Sequence, residues 1–158
     1  TILSLSVWAL FRNLDQNDTF KSVIACEYIF IFPVYKEQKI IYDTLKYYEQ
    51  FLAQTQNIHL LFVTTVKESD VPSTASLIRQ YQKQSKWKAK ISLIQCPDLN
   101  GTKATQLNFA LQYIKSSRSS LPRLVCFDCD ARITYENFAA AERYMEQKSS
   151  YLQKPKMS

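Results

Sequence analysis

The stretch that decides the fold class is CEYIFIFPV, residues Cys26–Val34. Its segment Tyr28–Phe32 is continuously apolar, rich in aromatic and β-branched residues, and is followed at once by Pro33. An unbroken apolar run of this length is typical of a strand that is buried on both faces. A second run, Ile58–Val66, contains Leu60–Val63 of the same kind. Strands of this type belong to parallel sheets covered by helices on both sides.

Helical patterns separate the strand-like runs. The clearest is Glu37–Thr55, in which a single apolar stripe is formed by Ile41, Leu45, Tyr48 and Leu52. Repeated strand–helix alternation predicts an α/β layered sandwich, with a mostly parallel central sheet flanked by helices. The other predicted elements, in chain order, are a helix capped by Ser73 and ending at Tyr81, a strand at Lys90–Gln95, a helix at Thr102–Lys115, a strand at Leu121–Phe127 and a helix capped by Thr134 that ends near Gln147.

The low glycine content excludes several kinds of nucleotide-binding and catalytic site. The chain has 158 residues, the size of one ordinary domain, and its only glycine is Gly101. A GxGxxG dinucleotide turn, a P-loop and a GxSxG nucleophile elbow each need more than one glycine. All of these sites are therefore excluded. Any bound phosphate must be held by a metal, a lysine or a helix N-terminus.

Charge and cysteine content bear on partners and location. The net charge of +6 favours an anionic partner. The lysines between residues 83 and 90 fit a solvated helix end, so we predict no nucleic-acid partner. Four cysteines without a disulfide framework favour a reducing, cytoplasmic compartment. Because the apolar run Ile2–Phe11 has about half the length that spans a bilayer, we expect a cytoplasmic protein or the cytoplasmic domain of a membrane-bound one.

Two carboxylates, Asp128 and Asp130, follow the last predicted strand. Residues at i and i+2 lie on one side of an extended chain, about 6.6 Å apart at their Cα atoms. In parallel sheets, ligands bind beyond the carboxyl ends of the strands. Close carboxylates repel unless a cation lies near them, and Mg²⁺ or Mn²⁺ prefers such oxygen ligands. The pair therefore indicates a metal site; the alternative is that both aspartates cap the following turn and helix.

Three segments, in order, resemble the family 2 glycosyltransferases, which have the GT-A fold. They are IFPVYKE at Ile31–Glu37, DLNGTKATQLNFAL at Asp98–Leu111 and RLVCFDCD at Arg123–Asp130. The family has a hydrophobic strand with a P-x-Y-N-E-like turn, then a G-K-A-x-A-L-N-x-A-L-like helix, then a hydrophobic strand ending in D-x-D. The resemblance covers residues 26–140. It implies a GT-A-like, Rossmann-like sandwich that transfers a sugar from a nucleotide-diphosphate sugar, UDP-linked by preference, to an acceptor hydroxyl.

The resemblance also implies roles for individual residues. Pro33, Tyr35 and Glu37 match the turn that lies against the nucleoside of the donor. Asp128 matches the first carboxylate of the D-x-D, near the ribose, and Asp130 matches the second, which is the direct ligand of Mg²⁺ or Mn²⁺. The metal then bridges the diphosphate and helps it to leave. Partners implied in this way are a nucleotide-sugar donor and an acceptor that the sequence does not identify.

The chain departs from the family pattern at two places. The first is Lys36, which stands where the family has asparagine. Lys103, in contrast, matches a basic residue that approaches the phosphates in the family; the alternative is that it is a solvated lysine. After the second strand the family has an acidic pair that reads uracil. Here the chain has Thr64 and Thr65, either of which would bond a base edge, and only Glu68 is available as an acidic substitute. The departure weakens the prediction of uridine more than the prediction of the fold.

The resemblance divides the chain into three parts. Residues 1–22 are predicted to form an N-terminal helix or linker, with a membrane-proximal stub as one interpretation. Residues 23–150 form the nucleotide-sugar-binding domain, and residues 151–158 form a polar tail. The family's catalytic base and acceptor motifs lie downstream of the D-x-D. We therefore assign no catalytic residue and expect a donor-binding fragment that does not turn over alone.

Two alternative functions stay open. A strand followed by D-x-D also resembles Mg²⁺-dependent phosphatases and phosphomutases of the haloacid dehalogenase type, with Asp128 as nucleophile and Asp130 as general acid. That family expects Thr or Val where this chain has Arg132, and it has the pair on its first strand. The other alternative is a non-catalytic nucleotide-binding domain that keeps the fold without turnover.

Cysteine and histidine chemistry is disfavoured. The CxxC of Cys126 and Cys129 begins inside an apolar strand, whereas a redox pair begins at a helix N-terminus, and a zinc site would need further ligands. The single histidine, His59, begins the second strand at the end away from the crevice, so we predict a structural role for it. This placement excludes Ser–His–Asp and Cys–His catalytic sites.

Overall fold

The central sheet is parallel throughout. The computed structural model describes residues 2–3 and 26–152, and its strands lie side by side in the order β1-β5-β2-β3-β4. These strands are β1 at Ile2–Leu3, β2 at Tyr28–Pro33, β3 at Ile58–Thr65, β4 at Ile91–Cys96 and β5 at Arg123–Cys126. In register, Phe30 of β2 lies between Leu60 of β3 and Val125 of β5. The predicted α/β class with a parallel sheet is confirmed.

Four helices cover the sheet, and each follows a strand. They are α1 at Ile41–Gln54, α2 at Thr74–Gln84, α3 at Lys103–Ser117 and α4 at Tyr135–Leu152, and a single 3-10 turn at Lys88–Lys90 precedes β4. The predicted caps are confirmed: Ser73 accepts from the Ser76 backbone N–H, and Thr134 accepts from that of Asn137, both at 3.2 Å. Capping satisfies N–H groups that have no partner inside the helix.

The two faces of the sheet have separate cores. The β2 side chains Tyr28, Phe30 and Phe32 pack with α1, α2 and α4, while Ile29 and Ile31 pack with α3. Successive strand residues point to opposite faces, so a continuously apolar strand supplies both cores at once. The predicted α1 stripe of Ile41, Leu45, Tyr48 and Leu52 is completely or almost completely buried.

One helix and one strand begin later in the sequence than predicted. The helix predicted from Glu37 begins at Ile41, because residues 38–40 form a turn in which the N–H groups of Ile40 and Ile41 both donate to the Glu37 carbonyl. The strand predicted from Leu121 begins at Arg123. Pro122 intervenes, and it has no N–H to give to a neighbouring strand.

The N-terminal prediction is corrected at two residues. Ile2 and Leu3 pair with Leu124 and Val125 as a strand, not as the predicted helix. The edge of β5 offers backbone groups that an extended segment satisfies, and a helix would leave them unpaired. The rest of the predicted N-terminal helix, and residues 153–158 of the predicted tail, lie outside the described residues. Within the described part of the chain, none of the helices has the length and apolar character needed to cross a membrane.

Candidate functional site

A cleft of about 600 Å³ opens at the carboxyl edge of the sheet. It lies where β2, β3 and β5 end and α3 begins. All predicted site residues except Thr64 line it. The lining residues are Pro33, Tyr35, Glu37, Ile40, Thr65, Lys67, Gly101, Thr102, Lys103, Gln106, Asp128, Cys129 and Asp130. The three segments that carry the family resemblance therefore meet at one site.

Thr64 and Thr65 diverge at the end of β3. Thr64 is completely buried, and its hydroxyl donates to the Ile94 carbonyl at 3.3 Å. Thr65 lines the cleft, where its hydroxyl donates to the Asp98 carbonyl and accepts from the Lys67 N–H. Neighbouring strand residues point to opposite faces, so only one of the pair can reach the cleft. Of the two predicted candidates, the structure brings Thr65 to the site and keeps Thr64 away from it.

Lys103 pairs with the first aspartate of the D-x-D. Its ammonium donates to Asp128 Oδ1 across the cleft. Lys103 opens α3, and Thr102 holds the helix start in a capping box with Thr105. Asp128 is half-exposed and Asp130 is exposed. One aspartate of the motif therefore has a cationic neighbour, whereas no ion pair of Asp130 occurs within the described residues.

Glu37 faces the same two aspartates. Burial, followed by the negative charges of Asp130, Asp128 and Glu68, raises the pKa of Glu37. The turn that presents it is held by a 3.0 Å hydrogen bond from the Glu37 N–H to the Thr74 hydroxyl. Like charges disfavour one another's ionised forms, and a bound cation would relieve the repulsion. The site therefore holds three carboxylates and two lysines, and one of the lysines, Lys103, is paired with Asp128.

The acidic groups fit a metal that shares its coordination with a ligand. Glu37, Asp128 and Asp130 offer oxygen atoms, but these do not all lie within 4.8 Å of one another. A closed protein cage is thus not formed by these groups. Mg²⁺ is ordinarily held by one or two carboxylates, with waters and substrate phosphates completing its octahedron. Asp130, with Asp128 beside it, meets that requirement.

The turn after β2 has an exposed aromatic ring between two lysines. Tyr35 is 38% exposed, and the ammonium groups of Lys36 and Lys67 lie 5.6 and 5.4 Å from its ring centre. Lys36 has a φ of 58°, in the left-handed region. Asparagine tolerates that conformation better than lysine.

Glu68 does not serve as the missing acidic partner. Its carboxylate accepts from the N–H of Lys36, the side-chain amide of Gln38, and both the N–H and hydroxyl of Thr74. Four donors therefore hold it between the β2 turn and the start of α2. It is also absent from the cleft lining. The charged side chain that follows Thr65 into the cleft is Lys67.

Six lining residues were not predicted as site residues: Ile40, Lys67, Gly101, Thr102, Gln106 and Cys129. Gln106 is buried, and its amide donates to the carbonyls of Val34 (3.0 Å) and Val63 (2.7 Å), which joins α3 to the ends of β2 and β3. Its signal was a polar residue on the apolar face of a helix. Gly101 lines the cleft where a Cβ would lie 3.0 Å from the Asp98 carbonyl oxygen. The signal for this contact was the turn sequence Asp98–Gly101, in which the Gly101 N–H donates to the Asp98 carbonyl at 3.2 Å.

The cysteines and the histidine add no reactive group to this site. The four cysteines are free. Burial raises the pKa of Cys126, and it raises the pKa of Cys129 to about 11, so neither is an activated thiolate. His59 is the second residue of β3, at the opposite end from the cleft, and burial lowers its pKa. These observations agree with the structural role predicted for the histidine.

The comparisons with known proteins identify no relative, so the class of this protein is defined by its fold and its site. No protein-family model matches the chain, and no curated protein matches it. The chain is an α/β layered protein whose carboxyl-edge cleft brings together three carboxylates and two lysines.

Proposed function

We propose that this chain is the donor-binding half of a glycosyltransferase. It binds a nucleotide-diphosphate sugar together with Mg²⁺ or Mn²⁺, and the sugar passes to an acceptor hydroxyl. The observation that carries the proposal is the convergence of Glu37, Lys103, Asp128 and Asp130 on one cleft at the carboxyl edge of the sheet. These residues come from the three segments that resemble family 2 glycosyltransferases, and parallel sheets bind ligands at this edge.

Different residues of the cleft bind the cation and the phosphates of the donor. Asp130, with Asp128 beside it, holds the cation. When bound, the cation supplies Lewis-acid stabilisation of the departing diphosphate. Lys103 offers a second positive charge at the start of α3, where helix N–H groups also favour anions. Binding of a diphosphate would draw the Lys103 ammonium from Asp128 toward the phosphate oxygens.

The base of the donor is the least constrained part of the proposal. Glu68 is held by four hydrogen bonds in the scaffold, so it is not free to read uracil. Thr65 and Lys67 are the groups that the end of β3 offers instead. UDP is the first donor nucleotide to test, and GDP and CDP are its competitors. No residue is assigned as the base that deprotonates the acceptor.

We also propose a cytoplasmic location, on its own or as the domain of a membrane-bound protein. The four free cysteines support a reducing compartment. The acceptor is not specified by the cleft.

Calorimetric titration of UDP tests the donor site, first with Mn²⁺ and then with EDTA. We expect binding that requires Mn²⁺ and that Asp130→Asn removes. Asp43→Asn is the matched control, because it removes the same charge from an exposed position on α1. Absence of Mn²⁺-dependent UDP, GDP and CDP binding would contradict the proposal. Mg²⁺-dependent hydrolysis of a phosphomonoester that is lost in Asp128→Asn would favour the phosphatase alternative instead.

A further inference from the structure

The face of α1 that looks toward the D-x-D loop carries a set of hydroxyl groups. Each donates to a backbone carbonyl of the loop that contains or follows the two aspartates. The hydrogen bonds run from Thr44 Oγ1 to the Cys129 carbonyl (2.6 Å), from Tyr48 Oη to the Ala131 carbonyl (3.1 Å) and from Tyr47 Oη to the Ile133 carbonyl (3.0 Å). Helix α1 therefore holds alternate carbonyls of one loop.

Arg132 completes this arrangement from within the loop. Its Nη1 donates to the carbonyls of Cys129 (2.9 Å) and Ala131 (2.8 Å), and its Nη2 donates to Thr44 Oγ1 (3.0 Å). The guanidinium lies 5.2 Å from the ring centre of Tyr47. A guanidinium presents several donors in a fixed fork, so these bonds restrict the loop in more than one direction.

From these contacts we infer that Thr44, Tyr47, Tyr48 and Arg132 form a clamp that positions the two aspartates for a metal-bound diphosphate. The clamp binds the carbonyls of Cys129 and Ala131, whereas the side chains of Asp128 and Asp130 line the cleft. The four clamp residues act through the backbone and are positioning residues. The inference rests on the proposed donor site.

The physical role of the clamp is to order the loop before a ligand arrives. A loop that becomes ordered only on binding subtracts the lost conformational entropy from the affinity. Thr44 is completely buried, so its hydrogen bonds are shielded from water. Groups that orient metal ligands commonly change metal affinity by about 10- to 100-fold when they are removed. The effect of the clamp should therefore appear in metal binding.

Thr44 offers the sharpest test, because two substitutions separate its hydroxyl from its shape. Thr44→Val keeps the volume and removes the hydroxyl, while Thr44→Ser keeps the hydroxyl. Mn²⁺ affinity is measured from the electron paramagnetic resonance signal of free Mn²⁺, with and without UDP. We expect Thr44→Val to weaken Mn²⁺ binding by about tenfold or more, and Thr44→Ser to restore it.

Tyr47→Phe is the second variant, and it keeps the test decisive if Thr44→Val does not fold. The Tyr47 side chain is half-buried, so we expect the chain to fold without its hydroxyl. Tyr81→Phe is its matched control: the Tyr81 hydroxyl bonds Glu49, and α2 presents it away from the cleft lining. Arg132→Lys keeps the charge and loses the fork. We expect Tyr47→Phe and Arg132→Lys to weaken Mn²⁺ binding and Tyr81→Phe to leave it unchanged, with melting temperatures recorded for each.

The outcomes separate the clamp from the donor site. If Asp130→Asn abolishes Mn²⁺–UDP binding while Thr44→Val and Tyr47→Phe bind as the native chain does, the clamp is overturned and the donor site stands. The clamp is also overturned if Thr44→Ser and Tyr81→Phe lose affinity in proportion to their melting temperatures, since the role is then only structural. If the native chain binds no Mn²⁺ with UDP, GDP or CDP, the donor site and the clamp fall together.

Discussion

The two edges of the sheet both carry acidic groups, but they compensate them differently. At the amino edge, Glu142 is only 2% exposed and accepts from the Cys26 N–H, and Arg123 lies 3.8 Å from it and 3.6 Å from Glu146. Arg118 pairs with Glu27 nearby. Glu142 and Glu146 share the guanidinium of Arg123, so every one of these carboxylates has a guanidinium within 4 Å.

The carboxyl edge leaves its charges less well matched. Glu37, Asp128 and Asp130 share one cleft, and the ammonium of Lys103 pairs with Asp128. Proteins tolerate such repulsion where a ligand later compensates it. The difference shows that acidity alone does not identify a site. What distinguishes the carboxyl edge is incomplete pairing at the place where parallel strands present their loops.

The largest expected effect is the loss of ligand binding when Asp130, at the carboxyl edge, is substituted. Asp130→Asn should weaken Mn²⁺-dependent UDP binding by about 100-fold or more, because in the proposed donor site it removes a carboxylate ligand of the cation. Its free energy of unfolding should stay unchanged or rise, because repulsion on Glu37 is relieved. Calorimetry and urea unfolding measure the two quantities on the same samples. A parallel loss of stability would show that Asp130 supports the fold instead.

The next largest effect is a loss of stability when Glu142, at the amino edge, is substituted. Glu142→Ala leaves Arg123 and the Cys26 N–H without this acceptor, which should lower the free energy of unfolding by about 2 kcal/mol. Binding of Mn²⁺ and UDP should not change. Glu136→Ala, at an exposed position in the first turn of α4, is the control and should cost less than about 0.5 kcal/mol. Equal losses in both variants would refute a specific amino-edge network.

A smaller effect concerns the backbone of the cleft. Lys36→Gly should stabilise the chain by about 0.5–1 kcal/mol, since glycine adopts a φ of 58° without the penalty that a Cβ brings. The exposed ion pair that Lys36 makes with Asp70 contributes little, so its loss should not reverse the sign. Lys39→Gly, in the adjacent turn without positive φ, should destabilise. Urea unfolding of both variants checks the contrast.

The smallest effect is a pH dependence at Glu37. Its pKa in the folded chain is raised, so the folded state binds more protons there than the unfolded state. The stabilisation is complete below the ordinary pKa of 4.5 and is lost as the pH rises through the folded pKa. Glu37→Gln should therefore gain about 0.5 kcal/mol over the native chain at pH 7 and nothing at pH 4. Unfolding curves at the two pH values would contradict this if the gain were larger in acid.

Local sequence patterns were sufficient for most of the fold. The unbroken apolar runs of β2 and β3 predicted strands buried on both faces, and the stripe from Ile41 to Leu52 predicted the buried face of α1. The start of α1 was placed too early, because helical periodicity does not reveal that Glu37 belongs to a turn at the cleft. The strand at Ile2–Leu3 was missed because it depends on the free edge of β5.

The site was predicted less evenly. Asp128 and Asp130 were recognisable because they follow a strand that had to be parallel. Gln106 was overlooked because the two carbonyls that it bonds, those of Val34 just after β2 and of Val63 in β3, are far from it in the sequence. Tyr48 was predicted only as part of the buried stripe of α1, although its hydroxyl and that of Tyr47 also bond the loop beyond the aspartates. A side chain's apolar body and its polar tip can serve different purposes, and only its neighbours show both.

The sequence by itself determined the alternation of strands and helices from β2 to α4, and it predicted the carboxyl edge as the place where a ligand binds. Both follow from periodicity and from the direction of parallel strands, which are properties of short segments. Only the tertiary structure decided that Lys103 pairs with Asp128, that Thr65 instead of Thr64 reaches the cleft, and that Glu68 is committed to the scaffold. Such choices depend on distances between atoms far apart in the chain, because electrostatic and hydrogen-bond energies fall steeply with separation.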